Sequence, residues 1–163
     1  LVSNIAAGLF MVALRPFKKG DTVQIGSIVG DVELIGFFGT SLLAPDGTKV
    51  MVGNAKALAD NIHNLSDVPH RRIDARAQLP WGCDVGAFHE NVRKRLAQEP
   101  KILALPAPIV ETFDNNAAGP VAVIRPFCVP ADYGEVFFLT NRIVAEEITK
   151  AGLMAPSPPA LLK

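Results

Sequence analysis

Residues 28–43 read Ile-Val-Gly-Asp-Val-Glu-Leu-Ile-Gly-Phe-Phe-Gly-Thr-Ser-Leu-Leu, a β-rich run that glycines interrupt at positions 30, 36 and 39. Glycines inside such a run mark bulges or sharp bends, and these features curl a sheet into a small barrel. The stretch therefore predicts strongly bent antiparallel strands rather than a flat sheet.

The segments on either side of this run supply the rest of the same domain. Further strands are expected at residues 22–25, 49–52 and 61–65, with a strong turn signal at Pro45-Asp46-Gly47. Asn54 is positioned to cap a short helix over residues 55–59. We assign residues 17–67 to a small, strongly bent antiparallel β domain.

Residues 1–14, which precede this domain, are nearly all apolar and lack both an initiating methionine and a basic leader. As a helix they would reach about 21 Å, short of a hydrocarbon core of about 30 Å. The basic residues Arg15, Lys18 and Lys19 follow at once, and an apolar helix followed by basic residues is typical of a membrane segment that leaves on the cytoplasmic side. The alternative is a buried core helix of a soluble protein. The missing methionine favours a chain cut from a longer protein.

The second half of the chain predicts a separate α/β domain. Val68-Pro69-His70 is a plausible hinge, and the residues after it give the order β-α-β-β-α. This order is that of a ferredoxin-like α+β sandwich with one strand missing or moved. We assign residues 68–154 to this domain and residues 155–163, with three prolines, to an extended C-terminal tail.

Composition excludes several classes of function. The 163 residues carry 16 basic and 16 acidic side chains, and this balance argues against a nucleic-acid partner, which normally requires a basic stripe. Two cysteines cannot form a disulfide framework or a four-thiolate metal site. The sequence predicts no metal site and no cofactor.

Catalytic residues are equally hard to find. Cys83 with His89 six residues later is the best pair for nucleophilic chemistry, but such a cysteine is more often a small buried hydrophobe. The absence of a catalytic constellation favours a mechanical, binding or assembly role over an enzyme.

A series of short motifs in the first 72 residues resembles the signature of the small-conductance mechanosensitive (MscS-type) channels. The order and spacing hold for Ser3-Asn-Ile-Ala-Ala-Gly8, Arg15-Pro-Phe17, Gly20-Asp-Thr-Val23, Val29-Gly-Asp-Val32, Ala44-Pro-Asp-Gly-Thr48, Val52-Gly-Asn-Ala-Lys56, Asn61-Ile62, Asn64-Leu-Ser66 and Arg71-Arg72. One departure is Gly53-Asn54-Ala55, where many members have Pro-Asn-Gly.

The resemblance implies part of a homo-heptameric channel of the cell inner membrane, which membrane tension opens and which releases ions and small osmolytes during hypo-osmotic shock. Residues 1–16 would be the distal half of the pore-lining helix, residues 17–67 an Sm-like β domain, and the α/β domain part of a cytoplasmic cage. The residues of the pore constriction would lie before Leu1. A soluble oligomeric adaptor built on an Sm-like barrel is the alternative.

The resemblance also assigns roles to individual residues. Gly8 matches a glycine near a bend of the pore helix, although it is equally suited to close helix packing. Asn4 and Asn54 match positions where this helix meets the β domain, and a polar contact there would couple cage to gate, unless Asn54 is only a helix cap. The basic cluster, defined as Arg15, Lys18 and Lys19, would lie at lipid headgroups or form a plain solvated turn.

Overall fold

A computed structural model describes residues 2–153 and confirms the predicted α+β class. The chain forms two compact units that divide between Pro69 and His70. The tail predicted for residues 155–163 lies outside the described residues. No helix within residues 2–153 combines the length and the apolar character needed to cross a membrane.

The first unit is an N-terminal helix followed by a five-stranded antiparallel sheet. Its elements are α1 (Val2–Leu14), β1 (Thr22–Ile25), β2 (Ile28–Ile35), β3 (Gly39–Leu43), β4 (Lys49–Gly53), α2 (Asn54–Ala59) and β5 (Ile62–Asn64). The strand order is β4-β3-β2-β1-β5. Met11 of α1 is fully buried in the same core as the sheet residues Val23, Ile25 and Leu42.

Two features bend this sheet. The β2–β3 register shifts between Val32 and Leu34, as a bulge requires. A Cβ atom on Gly30 would lie 2.8 Å from the Leu43 carbonyl oxygen, so only glycine allows the two strands to approach this closely. The predicted bend is present, but the bulge falls at Val32–Leu34 and not at a glycine, while Gly30 permits the close approach of β2 and β3.

Helix α1 ends at a proline. Pro16 disfavours helical geometry at Arg15, whose φ is 47°, while the Arg15 amide still donates to the Met11 carbonyl at 2.9 Å. The chain therefore turns sharply after Leu14 and enters the sheet with Phe17 buried in its core.

The second unit has a three-stranded antiparallel sheet with two long helices. Its elements are β6 (Arg71–Arg72), β7 (Ala75–Gln78), α3 (Val85–Ala97), β8 (Ile109–Asn116), β9 (Gly119–Arg125), β10 (Phe127–Cys128), a 3₁₀ turn (Pro130–Asp132) and α4 (Tyr133–Lys150). The spatial order β7-β9-β8 places the third strand of this sheet between the first and the second, as in the first three strands of a ferredoxin-like fold. The short strands β6 and β10 pair with each other in a separate sheet. Within residues 2–153 the fourth ferredoxin-like strand is absent.

Candidate functional site

The N-terminal helix α1 buries only a narrow face. Ala7, Gly8 and Met11 are buried against the first unit, whereas five large apolar side chains of the helix are exposed: Val2, Leu9, Phe10, Val12 and Leu14. An exposed apolar face of this kind marks a surface that meets another protein or a lipid phase. The candidate site is the junction between the buried face and the sheet.

Gly8 lies directly on the sheet at this junction. A Cβ atom there would lie 2.7 Å from Asn54 Nδ2 and 2.9 Å from the Phe37 carbonyl oxygen, so no larger residue fits without movement. The helix is continuous from Val2 to Leu14, and these contacts support the close-packing role of Gly8. A bend at Gly8 stays a prediction.

Asn54 is the centre of the junction, and it is fully buried. Its backbone amide donates to the Phe38 carbonyl at 3.1 Å, and its Nδ2 donates to the carbonyls of Gly36 at 2.8 Å and Phe37 at 3.2 Å. A single asparagine thus donates to three successive carbonyls of the turn that joins β2 to β3, and its Nδ2 also lies 3.5 Å from the Asn4 carbonyl of α1.

The prediction that Asn54 caps the short helix is wrong. Asn54 is the first residue of α2, Gly53 is the cap position, and no side chain of α2 itself makes a cap hydrogen bond. The cap comes from Asn4, whose Oδ1 accepts from the Ala55 amide at 2.9 Å. A residue of α1 therefore satisfies a free donor at the start of α2, which ties the two helices together.

The departure from the Pro-Asn-Gly pattern leaves this geometry intact. Gly53 has φ −59°, a value that proline also takes. Ala55 supplies the same backbone amide that a glycine would. A Cβ atom on Gly53 would lie 3.3 Å from Asn4 Oδ1, so residue 53 touches the Asn4 side chain.

Thr40 is a member of the junction that the sequence does not reveal. This fully buried residue of β3 donates through Oγ1 to Asn54 Oδ1 at 3.1 Å, and Met11 Sδ lies 3.7 Å from the same hydroxyl. A threonine inside a strand is too common to carry a sequence signal, because β-branched residues are favoured there in general.

The basic cluster is exposed and lines one side of a cleft. Arg15, Lys18 and Lys19 border a cavity of about 420 Å³, and Val12 and Ile35 are shared with an adjoining apolar groove of about 380 Å³. Among residues 2–153, none of the three basic side chains forms an ion pair. The cleft therefore joins three basic side chains, with Asp21 and Asp67 also on its wall, to an apolar surface.

The backbone that carries this cluster is held in place by an aspartate. Asp21 is buried, and its Oδ2 accepts from the Lys18 amide at 3.0 Å and from Asn64 Nδ2 at 2.8 Å. Asn64 in turn accepts through Oδ1 from the Asp67 amide at 2.9 Å. This chain of hydrogen bonds fixes the turn after α1 to the end of β5.

In the second unit, Cys83 and His89 do not form the pair considered for nucleophilic chemistry. Within the described part of the chain no hydrogen bond joins them, and the buried His89 Nε2 has no partner. Burial lowers the pKa of His89, the nearby Arg93 cation lowers it further, and Glu111 raises it in part.

This buried histidine predicts a loss of stability in acid. A pKa that is lower in the folded state than its ordinary value of 6.5 means that the unfolded chain binds the proton first. We therefore expect the free energy of unfolding to fall as the pH drops below 6.5, with a slope of at most about 1.4 kcal/mol per pH unit from this group.

Urea unfolding at a series of pH values measures this contribution. The variant His89→Gln should flatten the pH dependence of the second unit between pH 7 and 5, because glutamine does not titrate. The same change at the exposed His63 is the matched control and should leave the slope unchanged. An equal slope in wild type and His89→Gln would refute the assignment.

Comparisons with known proteins show that this chain is similar to mechanosensitive channels. The family model described as "Mechanosensitive ion channel, beta-domain" matches residues 1–67. The small-conductance mechanosensitive channel of Edwardsiella ictaluri is 31% identical over 84% of this chain and 48% of its own length. That of Helicobacter pylori is 35% identical over 56% of this chain and 34% of its own length.

Two solved structures share the fold. The crystal structure of Helicobacter pylori MscS in a closed state has a TM-score of 0.88 over 99% of this chain and 64% of that one, at 24% identity. The cryo-EM structure of Arabidopsis thaliana MSL1 has a TM-score of 0.77 over 96% of this chain and 59% of that one, at 23% identity. Of the two curated relatives named above, this chain spans 48% of the Edwardsiella ictaluri channel and 34% of the Helicobacter pylori channel.

Proposed function

This chain belongs to the family of small-conductance mechanosensitive channels, and we propose that it joins the pore-lining helix of such a channel to its cytoplasmic cage. In this proposal α1 is the distal half of the pore helix. The observation that carries the proposal is the apolar helix docked on the sheet through a buried polar junction, with its remaining apolar side chains exposed.

The exposed face of α1 supports assembly with further copies and with lipid. Full burial of a large apolar side chain contributes about 1.5–3 kcal/mol of stabilisation. Helix α1 leaves five such side chains exposed. Seven copies, in the cell inner membrane with this segment on the cytoplasmic side, would cover these faces. The assembled channel would open under membrane tension and release ions and small osmolytes during hypo-osmotic shock.

An osmotic downshock assay tests this function. The complete polypeptide that contains this chain is expressed in bacteria lacking their own mechanosensitive channels, and survival after dilution into a low-osmolarity medium is counted. We expect rescue of survival together with tension-activated currents in excised membrane patches. Normal expression without rescue and without currents would overturn the proposal.

Within this function, we propose that two hydrogen bonds couple the pore helix to the cage, from the Ala55 amide to Asn4 Oδ1 at 2.9 Å and from Asn54 Nδ2 to the Asn4 carbonyl at 3.5 Å. Helix α1 is held at both ends of its buried face, by Asn4 near its start and by Met11 near its end. Movement of the helix must therefore break the Asn4 hydrogen bond or carry α2 and the sheet with it. We further propose that the docked arrangement is a non-conducting one, in keeping with the likeness to a channel solved in a closed state.

The basic cluster is proposed to lie at anionic lipid headgroups. A basic residue near such a surface contributes about 1 kcal/mol, so each charge removed should weaken binding by about fivefold. We expect Arg15→Gln, Lys18→Gln and Lys19→Gln together to lower binding of the purified chain to vesicles containing anionic lipid by roughly a hundredfold.

Three neutralisations outside the cluster serve as the control. Lys49→Gln, Lys56→Gln and Lys150→Gln remove the same charge from elsewhere in the described chain and should have a much smaller effect on vesicle binding. Equal losses for the two triple variants would mean that net charge alone acts, and the role of the cluster would be rejected.

A further inference from the structure

Thr40 is fully buried in the junction, in contact with both Asn54 and the α1 residue Met11. Its hydroxyl has a single proton and two neighbours, Asn54 Oδ1 at 3.1 Å and Met11 Sδ at 3.7 Å. An amide oxygen is a much better acceptor than a thioether sulfur, so the proton belongs to the hydrogen bond with Asn54. The sulfur then makes only a packing contact.

The other polar atoms of Asn54 are already in use. The side-chain Nδ2 donates to the Gly36 and Phe37 carbonyls and, at 3.5 Å, to the Asn4 carbonyl, so a flipped amide would direct Oδ1 at three carbonyl oxygens. The orientation of the amide is therefore fixed, with Oδ1 facing β3. Within residues 2–153, Thr40 is the only hydrogen-bond donor to this buried oxygen.

The position of this amide decides whether α1 can dock. Gly8 lies over Asn54 Nδ2 with so little space that an added Cβ atom would be 2.7 Å away. A small upward displacement of the amide would close the space that Gly8 uses. A buried Oδ1 without a donor would create such a displacement, because an unpaired polar atom moves toward water or another partner.

We propose that Thr40 is a positioning residue for the helix junction: its hydroxyl holds the Asn54 amide beneath Gly8 and thereby sets how tightly α1 docks. The functional consequence rests on the proposed coupling of pore helix and cage. The docking itself does not, since it can be measured on the purified chain.

Hydrogen exchange of the α1 amides tests the positioning role. Thr40→Val keeps the side-chain shape and removes the donor, so we expect α1 to exchange about tenfold faster while the second unit keeps its protection. Thr40→Ser keeps a hydroxyl and should restore wild-type protection. Wild-type α1 exchange in Thr40→Val would overturn the inference.

A double variant separates positioning from general destabilisation. In an Asn54→Ala background the Thr40 hydroxyl has lost its acceptor, so Thr40→Val should add less than about twofold to α1 exchange. Independent effects that multiply would overturn the inference, because Thr40 would then act without Asn54.

Currents under sustained tension separate this inference from the proposed function. One outcome supports both the positioning role of Thr40 and the coupling of pore helix to cage. In this outcome Thr40→Val speeds the hydrogen exchange of α1 and slows the decay of the current through the complete channel, while Thr40→Ser matches wild type in both measurements. Loosening of α1 with unchanged currents supports Thr40 as a positioning residue and refutes the coupling. Altered currents in Asn54→Ala, together with tight α1 docking in Thr40→Val, support the coupling and refute the role of Thr40.

Discussion

Gly8→Ala is expected to release α1 from the sheet even though alanine is the better helix former. The substitution stabilises an isolated helix by up to about 1 kcal/mol. The new Cβ atom would meet the Phe37 carbonyl oxygen, which is backbone, at 2.9 Å, and it would meet the Asn54 amide at 2.7 Å. Overpacking of this kind costs about 1–3 kcal/mol. Displacement of α1 away from the sheet relieves it more easily than distortion of the sheet backbone.

Limited proteolysis of the purified chain measures this release. We expect cleavage within α1 to be faster by about tenfold in Gly8→Ala. Gly86→Ala in α3 is a matched control, because its Cβ would meet Asp84 Oδ1 at an ordinary 3.5 Å. It should leave α1 cleavage unchanged and keep or raise the stability of the second unit. A Gly8→Ala chain as resistant as wild type would show that α1 does not depend on this contact.

Asn54→Ala is expected to have the largest effect on the stability of the first unit. The change leaves the fully buried Thr40 hydroxyl and the part-buried Gly36 and Phe37 carbonyls without their side-chain partner. Each buried polar group left unpaired costs about 1–3 kcal/mol, so the free energy of unfolding should fall by about 3–5 kcal/mol. Asn54→Asp should cost at least as much, because a carboxylate would face two carbonyl oxygens.

Urea unfolding with a probe in the first unit measures this loss. Asn61→Ala is a suitable control, because Asn61 is exposed and no hydrogen bond of its side chain occurs within residues 2–153. We expect it to change the free energy of unfolding by less than about 0.5 kcal/mol. A loss of similar size in both variants would contradict the central role given to Asn54.

The sequence predicts the strands and helices well where the signal is local. The turn at residues 45–47 and the end of α1 before Pro16 depend on residues that are neighbours along the chain, and the structure shows both. Asp84 likewise caps α3 by accepting from the Ala87 amide at 2.9 Å. These features need no knowledge of distant residues.

The sequence fails where distant residues compete for a local role. An asparagine before a short helix is a good cap by local rules, yet Asn4, some fifty residues away, makes the cap hydrogen bond and frees Asn54 for the turn carbonyls. The same limit applies to residues 71–79, which alternate like one strand but divide between two sheets. Thr40 carries no signal, because its role depends on an amide brought to it by folding.

The central claim is that the Asn4 and Asn54 hydrogen bonds hold the pore helix in a docked, non-conducting arrangement. Currents through the complete channel under sustained tension test it most directly, with Asn4→Ala and Asn54→Ala compared against Ser3→Ala, an exposed neighbour on α1. Loss of the Asn4 hydrogen bond, worth about 1 kcal/mol, should slow the decay of the current by about fivefold in Asn4→Ala, and Asn54→Ala, which removes several hydrogen bonds, should slow it at least as much, with Ser3→Ala at the wild-type rate. Decay and recovery identical to wild type in both asparagine variants would contradict the claim.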